Sequence, residues 1–275
     1  MLRRCLAAAL LVLAGCEAPP TAPPAGTVPP VSGDATAAIQ AVLDSGDVTI
    51  DRPLVVNGTL TPPAGSTIRF VGAGELRRTT APAANSTPVI RLTADRVTIT
   101  SPRIVGPNPC YWTYFDTGYR YSQYVPTREE QHGIAILGGA GHTITDATIS
   151  NVWGDAIYIG GGHPTDVRID GLTATCLGRS GVSNTGSSRV TITDANVSGA
   201  FWWGFNIEPF NNRYVHDYTV TRATIGFTRD APIFAGGPYF SCDVQRVAFT
   251  GVTYTAAIRS TPSIAACVAE HVTIK

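Results

Sequence analysis

The sequence has no excess of charge of either sign and few charged residues altogether. Only 15% of its 275 residues are charged, with Lys+Arg 20 and Asp+Glu 20. This balance excludes the strongly basic surface that binds nucleic acid, so no nucleic-acid partner is expected. The low charge, together with 28 glycines and many threonines and valines, favours β-structure with frequent turns.

Several motifs of catalytic and cofactor sites are also missing. The chain contains no Gly-x-Ser-x-Gly, no Cys/His spacing typical of zinc sites and no loop that would cradle a phosphate. The run Gly160–His163 is a glycine-rich turn before Asp166 and does not form a nucleotide-binding motif. No cluster of aspartates is dense enough to indicate calcium. The residues themselves therefore predict neither a metal nor a cofactor.

The first fifteen residues are predicted to be a signal peptide outside the fold. A basic start (MLRR) precedes an apolar run that is too short to span a bilayer as a mature anchor. The sequence LAGC at Leu13–Cys16 resembles the bacterial lipobox, in which the cysteine is lipidated and becomes the mature N-terminus. The resemblance implies a membrane partner through a lipid on Cys16 and an extracytoplasmic location. The alternative is an ordinary secretory signal with an incidental cysteine.

Residues 16–33 are predicted to form a proline-rich tether that leads away from Cys16. From Glu17 to Gly33 the chain has six prolines and no apolar periodicity, as in a semi-stiff extended linker. The next stretch, Asp34–Gly46, is predicted to be a helix. It has Asp34 at the N-cap position, apolar side chains on one face and Gly46 as a stop.

After this helix, short strand patterns recur about every 25 residues. The first series begins at Gly133, Ala156, Gly181, Gly204, Pro232 and Ala257, with spacings of 23, 25, 23, 28 and 25. The second series begins at His142, Val167, Val190, Tyr218, Val247 and Val272. An earlier coil, with patterns at Val89 and Val97, fits the same scheme. A repeat of this length without 3.6-residue periodicity indicates a β-solenoid.

The repeat predicts an all-β fold, a single-stranded parallel β-helix that occupies residues 34–275. One coil cannot bury its own apolar residues, but stacked coils about 4.8 Å apart form continuous interior columns. The first predicted column contains Ile134, Ile157, Val182, Phe205, Ile233 and Ile258. The second contains Ile144, Ile169, Ile192, Val220, Phe249 and Ile274. The N-terminal helix would cap the open end of the stack and prevent edge-to-edge association.

The helix and the repeats together resemble the right-handed parallel β-helix proteins of the pectate-lyase-like superfamily. The resemblance extends over residues 34–275 and rests on the segment GTLTPPAGSTIRFVGAGEL, the run from GDAIYIGGG through VTITDANVSGA, and GFNIEP. It implies a right-handed coil and a kinship with alginate C5-epimerases, polysaccharide lyases and phage-type depolymerases. It also implies calcium as the only cofactor to consider, because related lyases use it. Many such proteins have GIDIEP where this chain has GFNIEP, so Asn206 replaces a carboxylate.

Alternation along the strands predicts which side chains point outward beside the first interior column. One outward column contains Ala135, Tyr158, Ser183, Asn206, Phe234 and Arg259, and the next includes Thr185, Glu208 and Thr261. A turn column beside them contains His132, Asp155, Ser180 and Trp203, with Arg179 adjacent. We therefore expect a shallow groove in which Glu208 and Asn206 face solvent. The candidate catalytic residues are Glu208, Asn206, Tyr158, Asp155, His132 and Arg179.

Two pairs of these candidates are considered as catalytic pairs, Asp155 with Glu208 and His132 with Asp155. Asp155 and Glu208 are too far apart along straight strands, at roughly 19 Å, for the ~5–9.5 Å of a glycosidase pair. His132 and Asp155 lie one coil apart, so the carboxylate can tune the imidazole as a base. The alternative for that pair is a structural hydrogen bond that closes a turn, and for Glu208 it is a surface ion pair with an arginine.

An insertion at residues 107–131 interrupts the repeat and is rich in aromatic residues. The stretch Cys110–Tyr124 (CYWTYFDTGYRYSQY) concentrates aromatics in a chain that has only 8% of them. Aromatic rings with polar edges suit sugar binding, although the insertion can equally form a small core of its own. The candidate substrate-binding residues are Tyr111, Trp112, Tyr114, Ser183, Trp203 and Arg259.

Four cysteines lie in the predicted β-helix domain, in a compartment where disulfides persist. Cys242 and Cys267 each lie five residues before a repeat start, so they occupy equivalent places in consecutive coils. Stacked positions are about 4.8 Å apart, within the Cα distance of a disulfide, and we predict this bond. Cys110 and Cys176 can pair if the aromatic insertion folds back across the stack.

These observations predict an extracytoplasmic protein that binds a polysaccharide, and the balance favours an enzyme. A lyase or C5-epimerase would need a base for the proton next to a uronate carboxylate, with Arg179 or Arg259 to neutralise that carboxylate. A glycoside hydrolase would need paired carboxyl groups, for which the sequence shows no pair. A non-catalytic adhesin or structural module of the same fold is the remaining alternative. The sequence predicts neither the glycan nor the oligomeric state.

Overall fold

A computed structural model describes residues 26–112, 120–211, 213–226, 228, 231–235, 243–254, 262–264 and 272–275. In this part of the chain the fold is almost entirely β-structure. The first half contains β1 (Gly26–Thr27), α1 (Thr36–Asp44), β2 (Val48–Ile50), β3 (Pro53–Val55), β4 (Thr67–Phe70), β5 (Glu75–Arg77), β6 (Ile90–Leu92), β7 (Thr98–Thr100), β8 (Arg103–Val105), β9 (Cys110–Trp112), β10 (Arg120–Ser122) and a 3₁₀ turn at Pro126–Arg128. The second half contains β11 (Ile134–Ile136), β12 (Thr143–Ser150), β13 (Ile157–Ile159), β14 (Thr165–Leu177), β15 (Val182–Asn184), β16 (Ser187–Ala200), β17 (Trp203–Ile207), β18 (Val215–Ile225), β19 (Ala231–Ala235), β20 (Val244–Tyr254), β21 (Ser263–Ile264) and β22 (Val272–Ile274).

The strands form a parallel β-solenoid of about 8 turns with ~25-residue coils, which confirms the predicted fold. One parallel sheet runs through β6, β11, β13, β15, β17, β19 and β21, with one strand from each coil. A larger sheet runs from β1 through β2, β4, β7, β12, β14, β16, β18 and β20 to β22. The antiparallel hairpin β9–β10 lies outside both sheets, within the predicted insertion.

Both predicted interior columns are confirmed over the part of the chain that is described. The strand register places Ile134, Ile157, Val182, Phe205 and Ile233 side by side, and all five side chains are fully buried. The second column is continuous from Ile144 to Ile274. Burial of branched and aromatic side chains in stacked rungs therefore supplies the core, as the repeat predicted. Ile258 lies outside the described residues.

The long strands of the larger sheet turn a corner where a residue has a positive φ. These corner residues are Asp146, Gly171, Asp194, Arg222 and Gly251, one in each successive coil. On either side of the corner the strand lies on a different face of the solenoid, so β12 pairs with β7 before Asp146 and with β8 after it. Asparagine, aspartate and glycine adopt the left-handed region most easily, which explains most of these residue types.

The predicted N-terminal helix is shorter than Asp34–Gly46 and begins after Ala35. The carboxylate of Asp34 accepts the backbone N–H of Thr36 at 3.0 Å, but Ala35 occupies the N-cap position. Ile39 and Leu43 are buried against the first coil, as expected for a capping helix. Within the described residues, no helix is long and apolar enough to cross a bilayer. The predicted signal peptide and the lipidated Cys16 lie outside the described residues.

The solenoid begins before the predicted boundary at residue 34. Gly26–Thr27 pairs in parallel with Val48–Thr49, and the Gly26 amide donates to the Asp47 carbonyl at 2.8 Å. Val28 is also buried in the core. The predicted tether is therefore part of the first coil from Gly26 to Val28, because its backbone completes the edge of β2 in spite of the nearby prolines.

The predicted register of the last coil is wrong on the sheet that carries β19 and β21. Phe234 pairs with Ser263, 29 residues later, where the sequence pattern had placed Arg259 after 25. Alternation has a period of two, so the segments at Ala257 and at Ser263 fit the same face equally well, and only the length of the intervening turn decides between them. Arg259 and Thr261 lie outside the described residues. On the other sheet the 25-residue spacing holds, because Val247 pairs with Val272.

An arginine is buried in the N-terminal half of the solenoid, and among the described residues no carboxylate forms a hydrogen bond with it. Arg78 is 2% exposed, and burial lowers its pKa to about 10. Its guanidinium donates to the carbonyls of Thr87 and Gly58, to that of Pro88 at 3.2 Å and, through Nε, to that of Val56 at 3.4 Å. The arginine therefore links the segment at Val56–Gly58 to the segment at Thr87–Pro88 through carbonyls that lie outside the strands.

We expect Arg78→Met to lower the free energy of unfolding by about 3 kcal/mol, because several buried carbonyls would lose their donor. The neighbouring Arg77→Met is the matched control, since Arg77 is exposed and pairs only with Glu75. Loss of an exposed ion pair should cost less than about 1 kcal/mol. Urea unfolding of both variants measures the difference. Equal stability of the two variants would contradict the role assigned to Arg78.

Candidate functional site

A pocket of about 380 Å³ opens beside the sheet formed by β11, β13, β15 and β17. It collects side chains from three separated parts of the chain: the turn before β6, the end of the insertion, and four successive coils. The lining residues are Ser86, Pro88, Glu129, Glu130, His132, Ala135, Leu137, Tyr158, Arg179, Thr185, Glu208 and Phe210. Four of the six candidate catalytic residues, His132, Tyr158, Arg179 and Glu208, thus line one cavity.

The base of the pocket is a buried group of His132, Asp155 and Arg179. The backbone N–H of Asp155 donates to Nδ1 of His132 at 3.0 Å, and Oδ2 of Asp155 lies 3.3 Å from the same nitrogen. Because Nδ1 accepts this amide proton, the neutral imidazole carries its own proton on Nε2. Oδ1 of Asp155 accepts the Ser180 amide at 2.9 Å and lies 4.0 Å from Nε of Arg179. The hydrogen bond to Ser180, 25 residues further along the chain, links the turns of two successive coils.

Asp155 and Arg179 hold each other in their charged forms. Burial alone would raise the pKa of Asp155, but Arg179, His132 and the Ser180 amide together keep that pKa below its ordinary value. Burial likewise disfavours the charged guanidinium, yet Asp155, Glu129 and Glu208 raise the pKa of Arg179 above its ordinary value. Arg179 is thus a fixed positive charge already surrounded by carboxylates.

Tyr158 forms the wall between this base and the open part of the pocket. Its ring stacks on His132 with centroids 4.7 Å apart, and its hydroxyl is 2.6 Å from Oγ1 of Thr185. Burial raises the pKa of Tyr158, although the hydrogen bond with Thr185 opposes this shift. A phenol with a raised pKa stays protonated, so Tyr158 fits a hydrogen-bond donor or an aromatic platform better than a base.

Glu208 is the titratable group at the centre of the pocket. It follows β17 and is partly buried, and its Oε2 accepts Nδ2 of Asn206 at 3.3 Å. Burial raises the pKa of Glu208, and the charges of Asp155 and Glu129 raise it further, against the opposing effects of Asn206 and Arg179. A raised pKa favours the protonated form of the carboxyl group, which is the form that a general acid needs.

Two further carboxylates, Glu129 and Glu130, line the pocket and were not among the predicted site residues. Both belong to the end of the insertion, and Oε2 of Glu129 accepts the hydroxyl of Tyr124 at 3.0 Å. The backbone amide of Glu130 donates to Oδ1 of Asn85, which ties the insertion to the turn before β6. The sequence contains these two adjacent glutamates shortly before His132. The prediction of substrate-binding residues in the insertion was based on its aromatic residues and did not include the glutamates.

The insertion is fastened to the flank of the solenoid. A disulfide joins Cys110 in β9 to Cys176 in β14, the pairing expected if the insertion folds back across the stack. Tyr124 packs on Phe201 and Trp202, with ring centroids 5.2 and 5.3 Å apart. These contacts pack the end of the insertion against the flank of the solenoid. They also hold Glu129 in place at the pocket.

Two residues predicted to face solvent are buried instead. Asn206 and Ser183 are each 0% exposed, although both alternate outward from the interior column. They are flanked on neighbouring rungs by the larger rings of Tyr158 and Phe234, which exclude water from the shorter side chains between them. Asp155 is fully buried too and does not reach the cavity. These three residues can therefore act only through their neighbours.

The remaining predicted substrate-binding residues are not brought to the pocket by the described contacts. Trp203 stacks on Phe234 with centroids 4.6 Å apart and is not among the lining residues. Tyr111 and Trp112 contribute backbone to the β9–β10 hairpin. Tyr114, Arg259, Cys242 and Cys267 lie outside the described residues, so the second disulfide stays a prediction. Within the described ranges, no group of three or more His, Cys, Asp or Glu is arranged to hold a metal ion.

We expect Arg179→Met to destabilise the protein by about 3 kcal/mol at neutral pH, because it leaves the buried Asp155 uncompensated. The folded-state pKa of Asp155 is below its ordinary value of 3.8, so its ionisation stabilises the wild type above that value. This contribution is lost as the pH falls through the lowered pKa, and the deficit of the variant should shrink in acid. Urea unfolding from pH 7 to pH 3 tests this.

The double variant Arg179→Met/Asp155→Asn is the control for that experiment, since it removes both charges and should recover much of the loss at pH 7. A deficit that stays the same at pH 3, or a double variant as unstable as Arg179→Met, would show that the two side chains do not compensate each other.

The described coils resemble those of solved β-helix proteins at low sequence identity. No protein-family model and no curated protein sequence matches the chain. A tailspike protein named Dettilon gp208 is 12% identical with a TM-score of 0.55, over 80% of this chain and 47% of that one. Tailspike gp49 of the Acinetobacter baumannii bacteriophage Fri1, a capsular polysaccharide depolymerase, is 12% identical with a TM-score of 0.55, over 84% and 46%.

A third similar structure is that of PfbA, a surface adhesin of Streptococcus pneumoniae. It is 11% identical with a TM-score of 0.53, over 88% of this chain and 73% of that one. The chain spans about half the length of the two tailspikes. Its solenoid and these likenesses together confirm that the chain folds as a right-handed parallel β-helix of the kind seen in tailspikes and surface adhesins.

Proposed function

We propose that the protein is a glycoside hydrolase that cleaves a polysaccharide in the pocket between Glu208 and Glu129. The observation that carries this proposal is the meeting of these two carboxyl groups in one cavity, with burial raising the pKa of Glu208. Hydrolysis of a glycosidic bond needs a protonated carboxyl group on one side and an ionised one on the other. The two glutamates reach the pocket from different elements, a coil and the insertion, so they can flank a sugar.

Each group has a separate task in this proposal. Glu208 donates its proton to the oxygen of the leaving sugar as the bond breaks. Glu129, oriented by the hydroxyl of Tyr124, acts as the carboxylate that stabilises positive charge on the sugar ring or activates a water. Arg179 holds a positive charge near both glutamates. Phe210, 45% exposed at the pocket, offers an apolar surface for a sugar ring.

The electrostatics favour hydrolysis over the lyase or epimerase reaction that the sequence suggested first. A uronate substrate carries a carboxylate for which the site must supply compensating positive charge. Arg179 is the cation of the pocket lining, and Asp155, Glu129 and Glu208 already surround it. The raised pKa of Tyr158 also makes this phenol a poor base for abstracting a proton.

The similar structures support a polysaccharide as the partner. One tailspike with this fold is a capsular polysaccharide depolymerase, and PfbA is a surface adhesin. The disulfide Cys110–Cys176 agrees with an extracytoplasmic location. Attachment through a lipid on Cys16 remains part of the proposal, and the mass of the N-terminal peptide from membrane fractions would test it.

A panel of polysaccharides tests the activity directly. Neutral, amino-sugar and uronate polymers are incubated with the purified protein, and products are measured as new reducing ends and as absorbance near 230–240 nm. New reducing ends without absorbance support hydrolysis. The absorbance of an unsaturated product would instead establish a lyase, and inversion at C5 without cleavage an epimerase. Binding without any change in the polymer would overturn the enzymatic proposal in favour of an adhesin.

A further inference from the structure

We propose that Asn206 is a positioning residue, which holds Oε2 of Glu208 as a hydrogen-bond acceptor and thereby places the acid proton on Oε1. The inference rests on the proposed function, because it assigns a partner to the general acid of the same pocket. Such a role requires a donor held in place beside Glu208, and one oxygen of that carboxyl group left for the substrate. The contacts of the two side chains meet both requirements.

Asn206 and Glu208 project from the same face of the chain, because they are two residues apart at the end of β17. Nδ2 of Asn206 donates to Oε2 of Glu208 at 3.3 Å. The backbone of both residues is fixed by the neighbouring rung. Asn206 pairs with Ser183, and the backbone amide of Glu208 donates to the Asn184 carbonyl at 2.9 Å. The amide donor is therefore held in place beside the carboxyl group.

The side chain of Asn206 is fully buried, with Ser183 and Phe234 on the neighbouring rungs. Its Oδ1 has no hydrogen-bond partner among the described residues, so the bond to Glu208 is the one hydrogen bond of this side chain in that part of the chain. A buried acceptor without a donor is unfavourable. Packing alone would therefore favour an apolar side chain at this position, and the contact with Glu208 accounts for the amide.

The two carboxyl oxygens of Glu208 are not equivalent. Oε2 accepts the Asn206 amide, whereas Oε1 has no hydrogen-bond partner in the described part of the chain. Nδ2 of an asparagine can donate but cannot accept, so the oxygen that it contacts is the poorer site for a proton. The proton of the neutral carboxyl group therefore belongs on Oε1, the oxygen left for a ligand in the cavity that Glu208 lines.

The same hydrogen bond opposes the effect of burial on the pKa of Glu208. Burial raises this pKa, and Asn206 is the largest effect that lowers it, ahead of the charge of Arg179. The charges of Asp155 below the pocket and of Glu129 on the insertion raise the pKa. Loss of the Asn206 donor should consequently raise the pKa of Glu208. The other titratable side chains of the lining are Glu130, His132 and Tyr158.

Titration of the glutamate carboxyl carbons by NMR tests the contact without any substrate. The chain has six glutamates, so isotope labelling of their carboxyl groups gives few signals, and Glu208→Gln identifies the one from Glu208. Asn206→Leu is the test variant, because leucine has a similar size and no donor. We expect Glu208 to titrate at a higher pH in this variant than in the wild type.

Tyr218→Phe is the matched control for a buried polar atom. The Tyr218 hydroxyl is buried without a hydrogen-bond partner among the described residues, and it belongs to β18 in the other sheet. Its removal should leave the titration of Glu208 unchanged. A shift in this control equal to that in Asn206→Leu would assign the effect to a general change in the fold.

Kinetics on a polymer that the panel shows to be cleaved test the placement of the proton. Asn206→Leu should lower kcat by about two- to tenfold at low pH, because the proton is no longer confined to Oε1. Its kcat should begin to fall at a higher pH than in the wild type, so the ratio of variant to wild-type kcat should rise with pH. A purely structural role would lower the melting temperature and leave this ratio independent of pH.

Asn206→Asp keeps the shape of the side chain and serves if the leucine variant does not fold. Its carboxyl group and that of Glu208 should share a proton up to a higher pH than Glu208 alone holds one in the wild type. An unchanged titration in the folded variants, or a kcat ratio that does not vary with pH, would overturn the positioning role while hydrolysis stands. If no polymer of the panel is cleaved, the hydrolase fails, and the titration still decides whether Asn206 binds Glu208.

Discussion

Glu208→Gln should lower kcat on the glycan substrate by about 10²- to 10⁴-fold, the usual contribution of a general acid. The side chains are nearly the same size, and the amide can keep the hydrogen bond to Asn206 by rotation. Because burial raises the pKa of Glu208 in the folded state, its ionisation costs stability at neutral pH. The variant should therefore melt at the same temperature as the wild type or slightly above it.

The pH dependence of kcat is an independent test of the role of Glu208 as the general acid. As the pH rises through the raised pKa of Glu208, the acid loses its proton and kcat should fall. The residual activity of Glu208→Gln should not show this decrease at high pH. Glu75→Gln, at a partly buried glutamate that pairs with Arg77 far from the pocket in the sequence, should leave both rate and profile unchanged. Wild-type turnover in Glu208→Gln would show that the reaction takes place elsewhere.

Replacement of both Cys110 and Cys176 by serine should lower the free energy of unfolding by about 4 kcal/mol in the chain-entropy model, given a sequence separation of 66 residues. Activity should decline as well, because the disulfide fastens the insertion that carries Glu129 and Glu130. We expect KM to rise more than kcat falls, since Glu208, which follows β17 in the solenoid, keeps its place.

Thermal unfolding and steady-state kinetics of the double variant measure the two effects. A reducing agent should lower the melting temperature of the wild type, and its smaller effect on the double variant isolates any contribution from the other cysteines. Peptide mapping without reduction also checks the predicted bond between Cys242 and Cys267. A double variant with wild-type KM would mean that Tyr124 and its contacts with Phe201 and Trp202 hold the insertion without the disulfide.

The coil register was predictable because it depends on a local rule repeated many times. Each strand alternates between interior and exterior, and a shift of one residue would expose every apolar side chain of the rung. The columns from Ile134 to Ile233 and from Ile144 to Ile274 follow directly from this rule. The rule cannot choose between registers that differ by an even number of residues. Arg259 and Ser263 are four residues apart, so either can pair with Phe234 and leave the same side chains facing the interior.

The candidate site was predictable only in part, because its residues come from unrelated segments. His132, Tyr158, Arg179 and Glu208 share a column or lie beside one, so alternation placed them together. Glu129 and Glu130 arrive on an insertion whose path no repeat determines. Their position depends on the disulfide, on the packing of Tyr124 and on the hydrogen bond between Glu130 and Asn85.

By itself the sequence determined the β-helix, its coil length, most of its interior and the residues of one sheet that could carry chemistry. These features follow from two sequence patterns: alternate side chains of each strand are buried, and the strands recur about every 25 residues. Both patterns can be read from short stretches of sequence. Only the tertiary structure decided which of the outward-pointing side chains are exposed to solvent. Neighbouring aromatic rungs bury Asn206 and Ser183, and Arg179 stabilises Asp155 beneath the pocket. It also decided that the insertion places two more glutamates opposite Glu208, since only contacts between distant segments can set the charge of a cavity.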